Sequence, residues 1–344
     1  MEHKVDYIIV GGGFAAFFFA HQLIKNKKSF RIYSGPEKGA SRISAGIINP
    51  VVLKRFTSFE NALEHIEVLE NLFKEISAYL NENFIVNEPT RRIFHDENEK
   101  KTWLKKSTNE KLELFLDSTF ETIPNIINPL ESGTVNRSFR IDVPYFFECF
   151  EKYLIEHDYL IQEDFIYDDL DVQNSKYQNS VFSKIVFAEG MGAKNNPFFK
   201  EIPVLSNKGH HLIIKFNQYK LSSTVKKKFF LFPLNDSEYY YGGTYDPQNN
   251  TIGVDSSAVE KLVEGLKEMI DEPFEIVAIP YGYRPTVQDR KPILGKHPEF
   301  TNLYVFNGLG TRGLLNGTNY SIVLYNFIEN DIPLPNEIDI ERFI

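Results

Sequence analysis

The feature that most constrains the fold is a glycine-rich turn near the start of the chain, placed between an apolar run and a helical pattern. Residues 5–10 are apolar and mostly β-branched, residues 14–24 carry apolar side chains around a helix, and residues 30–33 return to a strand pattern. This order predicts a β–α–β unit. Because the first strand shows no polar alternation, we expect it to lie in a parallel sheet covered on both faces.

The turn itself, residues 11–16, has the sequence GGGFAA and fits the pattern G-x-G-x-x-A. In this pattern the first glycine forms the tight turn and the second lets backbone N–H groups approach a pyrophosphate. The helix that follows contributes the positive end of its dipole. The pattern also occurs as a plain turn between core elements, but its position directly after a buried strand predicts dinucleotide binding.

The second strand lacks an acidic residue at its end. In dinucleotide sites, a carboxylate about twenty residues after the glycines accepts hydrogen bonds from the adenosine ribose. Here the strand ends in Tyr33, Ser34 and Gly35, and the nearest acid is Glu37. Ser34 offers one hydroxyl, so the sequence leaves open what replaces the ribose-binding acid.

The rest of the chain alternates between helical and strand-like patterns. Apolar spacings of three and four predict helices over residues 58–81, 142–154, 257–270 and 314–328. The first of these follows a capping-box pattern, Thr57-x-x-Glu60. Strand patterns lie at residues 181–188, 211–216, 229–232, 239–244, 275–280 and 303–307. This order predicts a nucleotide-binding domain made of separated segments, with an antiparallel sheet inserted between them.

The charge and the apolar pattern argue against two classes of partner. Lys and Arg number 38 against 47 Asp and Glu, so the net charge is −9. That sign does not suit a protein that gains affinity by neutralising nucleic-acid phosphates or anionic lipid. Asp6 and three glycines interrupt the apolar run of residues 5–20, so we do not interpret it as a secretory signal or a membrane span. We expect neither nucleic acid nor membrane as a partner.

Cysteine and histidine usage argues against a disulfide and against a metal site. The only cysteine, Cys149, has no second thiol with which to form a disulfide or a multi-thiolate site. A reducing cytoplasm is therefore the expected compartment. His210 and His211 are adjacent in a predicted strand, where neighbouring side chains point to opposite faces, so we expect no metal.

Several further blocks follow the glycine turn along the chain. Residues 39–50 (GASRISAGIINP) are rich in small and hydroxyl side chains. Residues 282–285 (GYRP) precede Asp289 and residues 292–295 (PILG), and residues 307–314 (NGLGTRGL) come directly after a strand. In this combination and order, the blocks resemble those of the FAD enzymes in the D-amino-acid oxidase, glycine oxidase and sarcosine oxidase superfamily.

The resemblance implies an α/β fold in which a Rossmann-like FAD-binding domain of discontinuous segments carries an inserted antiparallel-sheet substrate domain. The FAD-binding domain would comprise residues 1–80, 141–205 and 285–344, and the substrate domain residues 81–140 and 206–284. We expect FAD to bind noncovalently, since the single cysteine lies in a predicted helix away from every glycine block.

The reaction implied by the resemblance is oxidation of a C–N bond in a small amine or amino acid. Hydride passes from the substrate carbon to flavin N5, and O2 or another acceptor reoxidises the flavin. Arg284 in the GYRP block matches the family's arginine that pairs with a substrate carboxylate, with a structural ion pair as the alternative. Tyr241 and His211 in the inserted sheet are further predicted active-site residues, although aromatic side chains are common in strands.

The glycine blocks and strand ends supply the predicted cofactor-binding residues. Backbone N–H groups of residues 308–314, at a helix N-terminus, would stabilise negative charge on the reduced ring, unless this is a plain helix start. The full predicted set is Gly11, Gly13, Phe14, Ala15, Ser34, Ser41, Arg42, Ser44, Ala45, Gly46, Ile166, Gly190, Gly308, Gly310, Thr311, Arg312, Gly313 and Leu314.

Two alternatives to an amine or amino-acid oxidoreductase stay open. Residues 39–50 are also similar to the FAD portion of the bifunctional enzyme that modifies the tRNA wobble uridine, which removes a carboxymethyl group from nitrogen. The net charge of −9 counts against that alternative. The other is a flavin-binding protein without turnover, favoured by the missing ribose acid. This second alternative is also favoured by the tyrosines near residue 241, which stand where some sarcosine-oxidase relatives have an oxygen-activating lysine.

Overall fold

In the computed structural model, the described parts of the chain are residues 3–37, 39–216, 221–247 and 249–343. The helices in these parts are α1 (Phe14–Lys25), α2 (Ala62–Leu80), α3 (Glu97–Ser107), α4 (Val143–Glu156), α5 (Ser256–Lys267) and α6 (Gly313–Asn330). None of the helices in these parts has the length and apolar character needed to span a membrane.

The strands of the described parts range from two to eleven residues in length. In the first half they are β1 (His3–Val10), β2 (Phe30–Tyr33), β3 (Ile47–Ile48), β4 (Val51–Val52), β5 (Thr57–Ser58), β6 (Ile85–Val86), β7 (Thr90–Ile93), β8 (Leu116–Glu121), β9 (Ser132–Val135), β10 (Phe139–Ile141) and β11 (Leu160–Ile161). In the second half they are β12 (Leu170–Asp171), β13 (Lys176–Tyr177), β14 (Ser180–Phe187), β15 (Leu205–Lys215), β16 (Thr224–Lys226), β17 (Phe230–Pro233), β18 (Glu238–Gly242), β19 (Asp246–Pro247), β20 (Glu275–Ala278), β21 (Tyr281–Thr286), β22 (Ile293–Lys296) and β23 (Leu303–Asn307).

A mainly parallel sheet contains the first β–α–β unit. Across this sheet the strands follow the order β11, β2, β1, β14 and β23, each paired in parallel with the next. Strand β22 pairs antiparallel with β23. Strand β1 is buried on both faces, because Tyr7 and Ile9 belong to one core cluster and Ile8 and Val10 to the other. The first cluster includes residues of α1, α2, α4 and α6. The predicted β–α–β unit and its two-sided burial are confirmed.

A second, mainly antiparallel sheet runs in the order β19, β15, β18, β17, β16, β7, β9, β8, with β20 and β21 also paired to β15. Helix α5 covers one face, where Leu262 and Leu266 pack with Leu212 and Ile214. The predicted α/β class with an antiparallel sheet is confirmed. We propose that the domain limits given above hold, supported by the parallel pairing of β7 with β16, which joins residues 81–140 to the inserted sheet.

Of two predicted helix starts, the start of α2 is wrong and the start of α4 is confirmed. Helix α2 begins at Ala62, so the predicted start at residue 58 and its capping box are wrong. The segment Thr57–Ser58 instead forms β5, paired with β4, and Asn61 takes a left-handed backbone with φ 53° just before the helix. By contrast, α4 begins where predicted, because the Asp142 side chain accepts a hydrogen bond from the Tyr145 N–H at 3.1 Å.

A carboxylate near the end of α6 ties this helix to the parallel sheet. Glu329 accepts hydrogen bonds from Tyr7, Lys28 and Lys184, and its own side chain is 13% exposed. Burial raises the pKa of Glu329, but the hydrogen bonds from the two lysines and the tyrosine outweigh it and lower the pKa to about 2.

Glu329→Gln is expected to lower the free energy of unfolding by about 3 kcal/mol at neutral pH. Because the pKa of Glu329 is lowered on folding, its contribution is present above the ordinary value of 4.5 and is lost as the pH falls toward about 2. Urea unfolding of both proteins at neutral pH and at about pH 3 measures this. The difference between them should shrink in acid, and an equal difference at both pH values would contradict the assignment.

Candidate functional site

The turn between β1 and α1 lies close to other segments of the chain. Gly11 has a φ of 122°, and a Cβ there would overlap the carbonyl oxygen of Ala188, just after β14. Gly13 has an extended backbone (φ −98°, ψ −170°), and a Cβ there would lie 2.9 Å from Ser41 Oγ. The Phe14 N–H donates to the same Ser41 oxygen at 3.2 Å. Gly11 therefore serves the fold, whereas Gly13 keeps open the space before the helix.

This space fits an anionic group. A Cβ on Gly12 would overlap Ser34 Oγ at the end of β2, and one on Gly313 would lie 3.6 Å from the Phe14 ring. The N-termini of α1 and α6 are therefore neighbours, and each presents backbone N–H groups and the positive end of a helix dipole. A crevice that a Cβ would fill, with hydroxyls at its border, fits the FAD pyrophosphate. We propose that these residues hold it.

Strand β21 passes three turns that carry predicted cofactor residues. These turns are the short 3₁₀ helices Ala40–Ile43, Gly190–Asn195 and Gly310–Arg312. Along the strand, Gly282 lies against the first turn, Pro285 against the second and Thr286 against the third. The closest approach is at Gly282, where an added Cβ would lie 2.7 Å from Ile43 Cδ1. One strand of the inserted sheet therefore borders all three turns.

The Arg284 side chain extends from this strand over the backbone of two glycines, which leave room for its guanidinium. A Cβ on Gly209 would overlap its guanidinium, and one on Gly243 would lie 3.3 Å from Arg284 Nη2. Its Nη1 donates to the carbonyl oxygen of Thr244 at 3.2 Å. Burial lowers the pKa of Arg284. Among the residues that the structure describes, no carboxylate forms an ion pair with this guanidinium, so the site can accept an external anion.

Tyr240 and His211 lie beside Arg284. Their rings stack with centroids 4.4 Å apart, and the Phe232 ring stacks on the other side of Tyr240 at 4.6 Å. Burial lowers the pKa of His211 to about 3, and the positive charge of Arg284 adds to this effect. Burial raises the pKa of Tyr240 to about 12, although Arg284 opposes the shift. At neutral pH, therefore, His211 is uncharged and Tyr240 is protonated.

The structure brings Tyr240, and not the predicted Tyr241, to Arg284. Successive side chains of a strand point to opposite faces. Tyr241 therefore lies under α5, in the core with Leu212, and a Cβ on Gly265 of that helix would be 2.7 Å from the Tyr241 hydroxyl. We correct the predicted set accordingly.

Two predicted cofactor arginines are held by other groups. The Arg42 Nη1 donates to the Glu151 carboxylate at 2.6 Å, and its guanidinium lies over the Phe147 ring at 4.1 Å. The Arg312 guanidinium lies over the Phe59 ring at 4.2 Å. The structure thus gives both side chains a partner within the protein, and a role toward FAD would fall to their backbone.

The remaining predicted cofactor residues occupy the same turns, with one exception. Ala15 is in the first turn of α1; Ser44, Ala45 and Gly46 follow the first 3₁₀ helix; and Gly308, Gly310, Thr311 and Leu314 lie around the start of α6. The exception is Ile166, whose side chain is 47% exposed and whose N–H donates to the Tyr177 hydroxyl at 3.0 Å. Its role stays a prediction.

Comparisons with known proteins identify the family and structures of similar fold. The model of the FAD dependent oxidoreductase family matches residues 6–320. A glycine oxidase from Geobacillus kaustophilus is 20% identical, with a TM-score of 0.79 over 99% of this chain and 98% of its own. A Bacillus cereus glycine oxidase is 18% identical (TM-score 0.79, 96% of each chain). An iminodiacetate oxidase from Chelativorans sp. BNC1 is 15% identical (TM-score 0.75, 96% of this chain and 98% of its own).

The structural likenesses concern the fold, while the family match extends from the glycine turn through Arg284 into α6. The predicted FAD cofactor and the predicted class of FAD-dependent oxidoreductase are confirmed. This chain belongs to the FAD dependent oxidoreductase family and is an FAD-dependent oxidoreductase.

Proposed function

We propose that this protein oxidises the C–N bond of a small amine or amino acid that carries a carboxylate. The observation that supports this most is the Arg284 guanidinium, which is largely buried and has no acidic partner in the described parts of the chain. Its strand borders the turns that would hold FAD. Proteins of the same fold include glycine oxidases and an iminodiacetate oxidase, whose named substrates are amines with carboxylates.

In this proposal the protein mainly orients its substrate. Arg284 would clamp the carboxylate through its planar fork and so fix the position of the substrate carbon. When bound, FAD would supply the two-electron redox chemistry of the reaction, with O2 or another acceptor as the final oxidant. Neither His211 nor Tyr240 is a strong base at neutral pH. The substrate amine would therefore bind in its neutral form, its proton having passed to solvent.

We further propose that the protein works in a reducing compartment such as the cytoplasm. The support is the single cysteine, Cys149, which has no second thiol to pair with. A small-molecule substrate and a diffusible electron acceptor are the partners that this proposal requires.

Anaerobic mixing with candidate substrates tests the proposed reaction. Glycine, sarcosine, D-alanine and iminodiacetate should each be compared with the matched amine that lacks the carboxylate, and loss of the visible flavin absorbance should be recorded. We expect reduction by at least one carboxylate-bearing amine and markedly slower reduction by its matched amine. If dithionite reduces the flavin and none of the candidate substrates does, the result would favour a flavin-binding protein without turnover. If only carboxymethylated tRNA reduces it, the result would favour the tRNA-modifying alternative.

A further inference from the structure

Strand β11 runs beside the end of β2, where the ribose-binding acid is missing. Ile161 pairs with Tyr33, and the Ser34 N–H donates to the Ile161 carbonyl oxygen at 3.1 Å. Beyond Ile161 the chain returns over Gly35. A Cβ on Gly35 would overlap Asp164 Oδ1 and would lie 3.2 Å from Oδ2. The Asp164 carboxylate therefore occupies the volume that a side chain at position 35 would fill.

The Asp164 carboxylate is also free to bind a ligand. The residue is exposed, and within the described ranges its carboxylate has no hydrogen-bond or ion-pair partner. On the neighbouring residue, Ser34 Oγ reaches the space above Gly12 in the glycine turn. The Ser34 hydroxyl and the Asp164 carboxylate thus both lie beside the end of β2, next to the crevice that fits the pyrophosphate.

We propose that Asp164, together with Ser34, binds the adenosine ribose of FAD in place of the acid that usually ends the second strand. An ionised carboxylate only accepts hydrogen bonds, and the ribose 2′- and 3′-hydroxyls can donate them. Such bonds to a charged acceptor are stronger than neutral ones. The acid is supplied by the segment that follows the adjacent strand β11, and the absent side chain of Gly35 leaves room for it. This inference depends on FAD binding and not on the substrate proposed above.

Asp164→Asn tests the proposal through FAD affinity. Titration of the apoprotein with FAD, followed by FAD fluorescence, should show a Kd raised roughly 10- to 100-fold. Glu163→Gln and Glu37→Gln are matched controls, because each removes one negative charge from a nearby exposed acid. We expect their Kd values to stay within about twofold of the wild type.

Gly35→Ala provides an independent test that leaves the acid in place. The added Cβ would displace the Asp164 carboxylate, so this variant should raise the Kd as much as Asp164→Asn does. The double variant should add little, because both changes remove the same interaction.

A modified cofactor tests the contact directly in the unmodified protein. FAD that lacks the 2′-hydroxyl of its adenosine ribose should bind the wild type roughly tenfold more weakly than FAD does. Asp164→Asn should bind the two cofactors with nearly equal affinity. An unchanged Kd in Asp164→Asn would overturn the proposal. Loss of affinity in Glu37→Gln instead, or full discrimination of the two cofactors by Asp164→Asn, would also overturn it.

Discussion

Gly13→Val is expected to give a folded protein that does not retain FAD. Valine readily adopts the extended backbone of this position (φ −98°, ψ −170°), so the substitution introduces no backbone strain. Its side chain would, however, fill the crevice where backbone N–H groups approach the pyrophosphate. Visible absorbance of the purified protein, and titration of the apoprotein with FAD, measure the loss.

Control variants separate the possible causes of that loss. A Cβ at Gly13 also crowds Ser41 Oγ, at 2.9 Å. Gly13→Val is therefore also combined with Ser41→Ala, which removes the protein-internal conflict, and is compared with Ser41→Ala itself, which accounts for the lost hydroxyl. This double variant should still fail to bind FAD. Ser34→Ala removes only one hydroxyl, whose hydrogen bond is worth about 0.5–1.5 kcal/mol, so affinity should fall tenfold or less. Full affinity in Gly13→Val would mean that the fingerprint is a plain turn.

Arg284→Ala is expected to weaken binding of a carboxylate substrate by about two to four powers of ten, while FAD content stays unchanged. Leaving a buried carboxylate without its cationic partner costs roughly 3–5 kcal/mol. The fold should survive, because in the described parts of the chain no carboxylate pairs with Arg284 and would be left uncompensated. The substrate dependence of anaerobic flavin reduction measures the effect.

A matched substrate and a matched variant make this test specific. An amine without a carboxylate should reduce the wild type and Arg284→Ala at similar rates. Arg284→Lys keeps the charge but loses the planar fork, so it should recover only part of the affinity. An unchanged half-reaction with the carboxylate substrate would contradict the assignment, and a variant that precipitates would indicate that Arg284 supports the fold instead.

Local pattern was sufficient to predict the first β–α–β unit but not every helix start. Strand β1 is apolar on both faces because both faces are covered, and this shows in the sequence as an unbroken apolar run. The predicted start of α2 failed because Thr57 and Ser58 pair with β4. Pairing with another segment decided their conformation, and a capping-box pattern does not report such pairing.

Residues of the candidate site that belong to a sequence motif were predicted. Residues that reach the site only because distant segments of the chain pack together were missed. Arg284 stands in the GYRP block, so the resemblance identified it. The choice between Tyr240 and Tyr241 depends on which face of β18 points toward Arg284, because β18 and β21 each pair with β15. Strand register was not predictable from the apolar pattern. Asp164 could not be found from sequence, because only the pairing of β11 with β2 brings it to Gly35.

The position of β21 has a consequence for protein engineering. Its residues form one side of the proposed substrate site and also touch the three turns that we assign to FAD. A library that randomises β21 would therefore change FAD binding and substrate choice together. Selection for a new substrate would discard many variants whose only defect is the loss of FAD. Strands β17 and β18 contribute Phe232 and Tyr240 to the same site. Diversity placed there should alter substrate range while the holoenzyme still assembles.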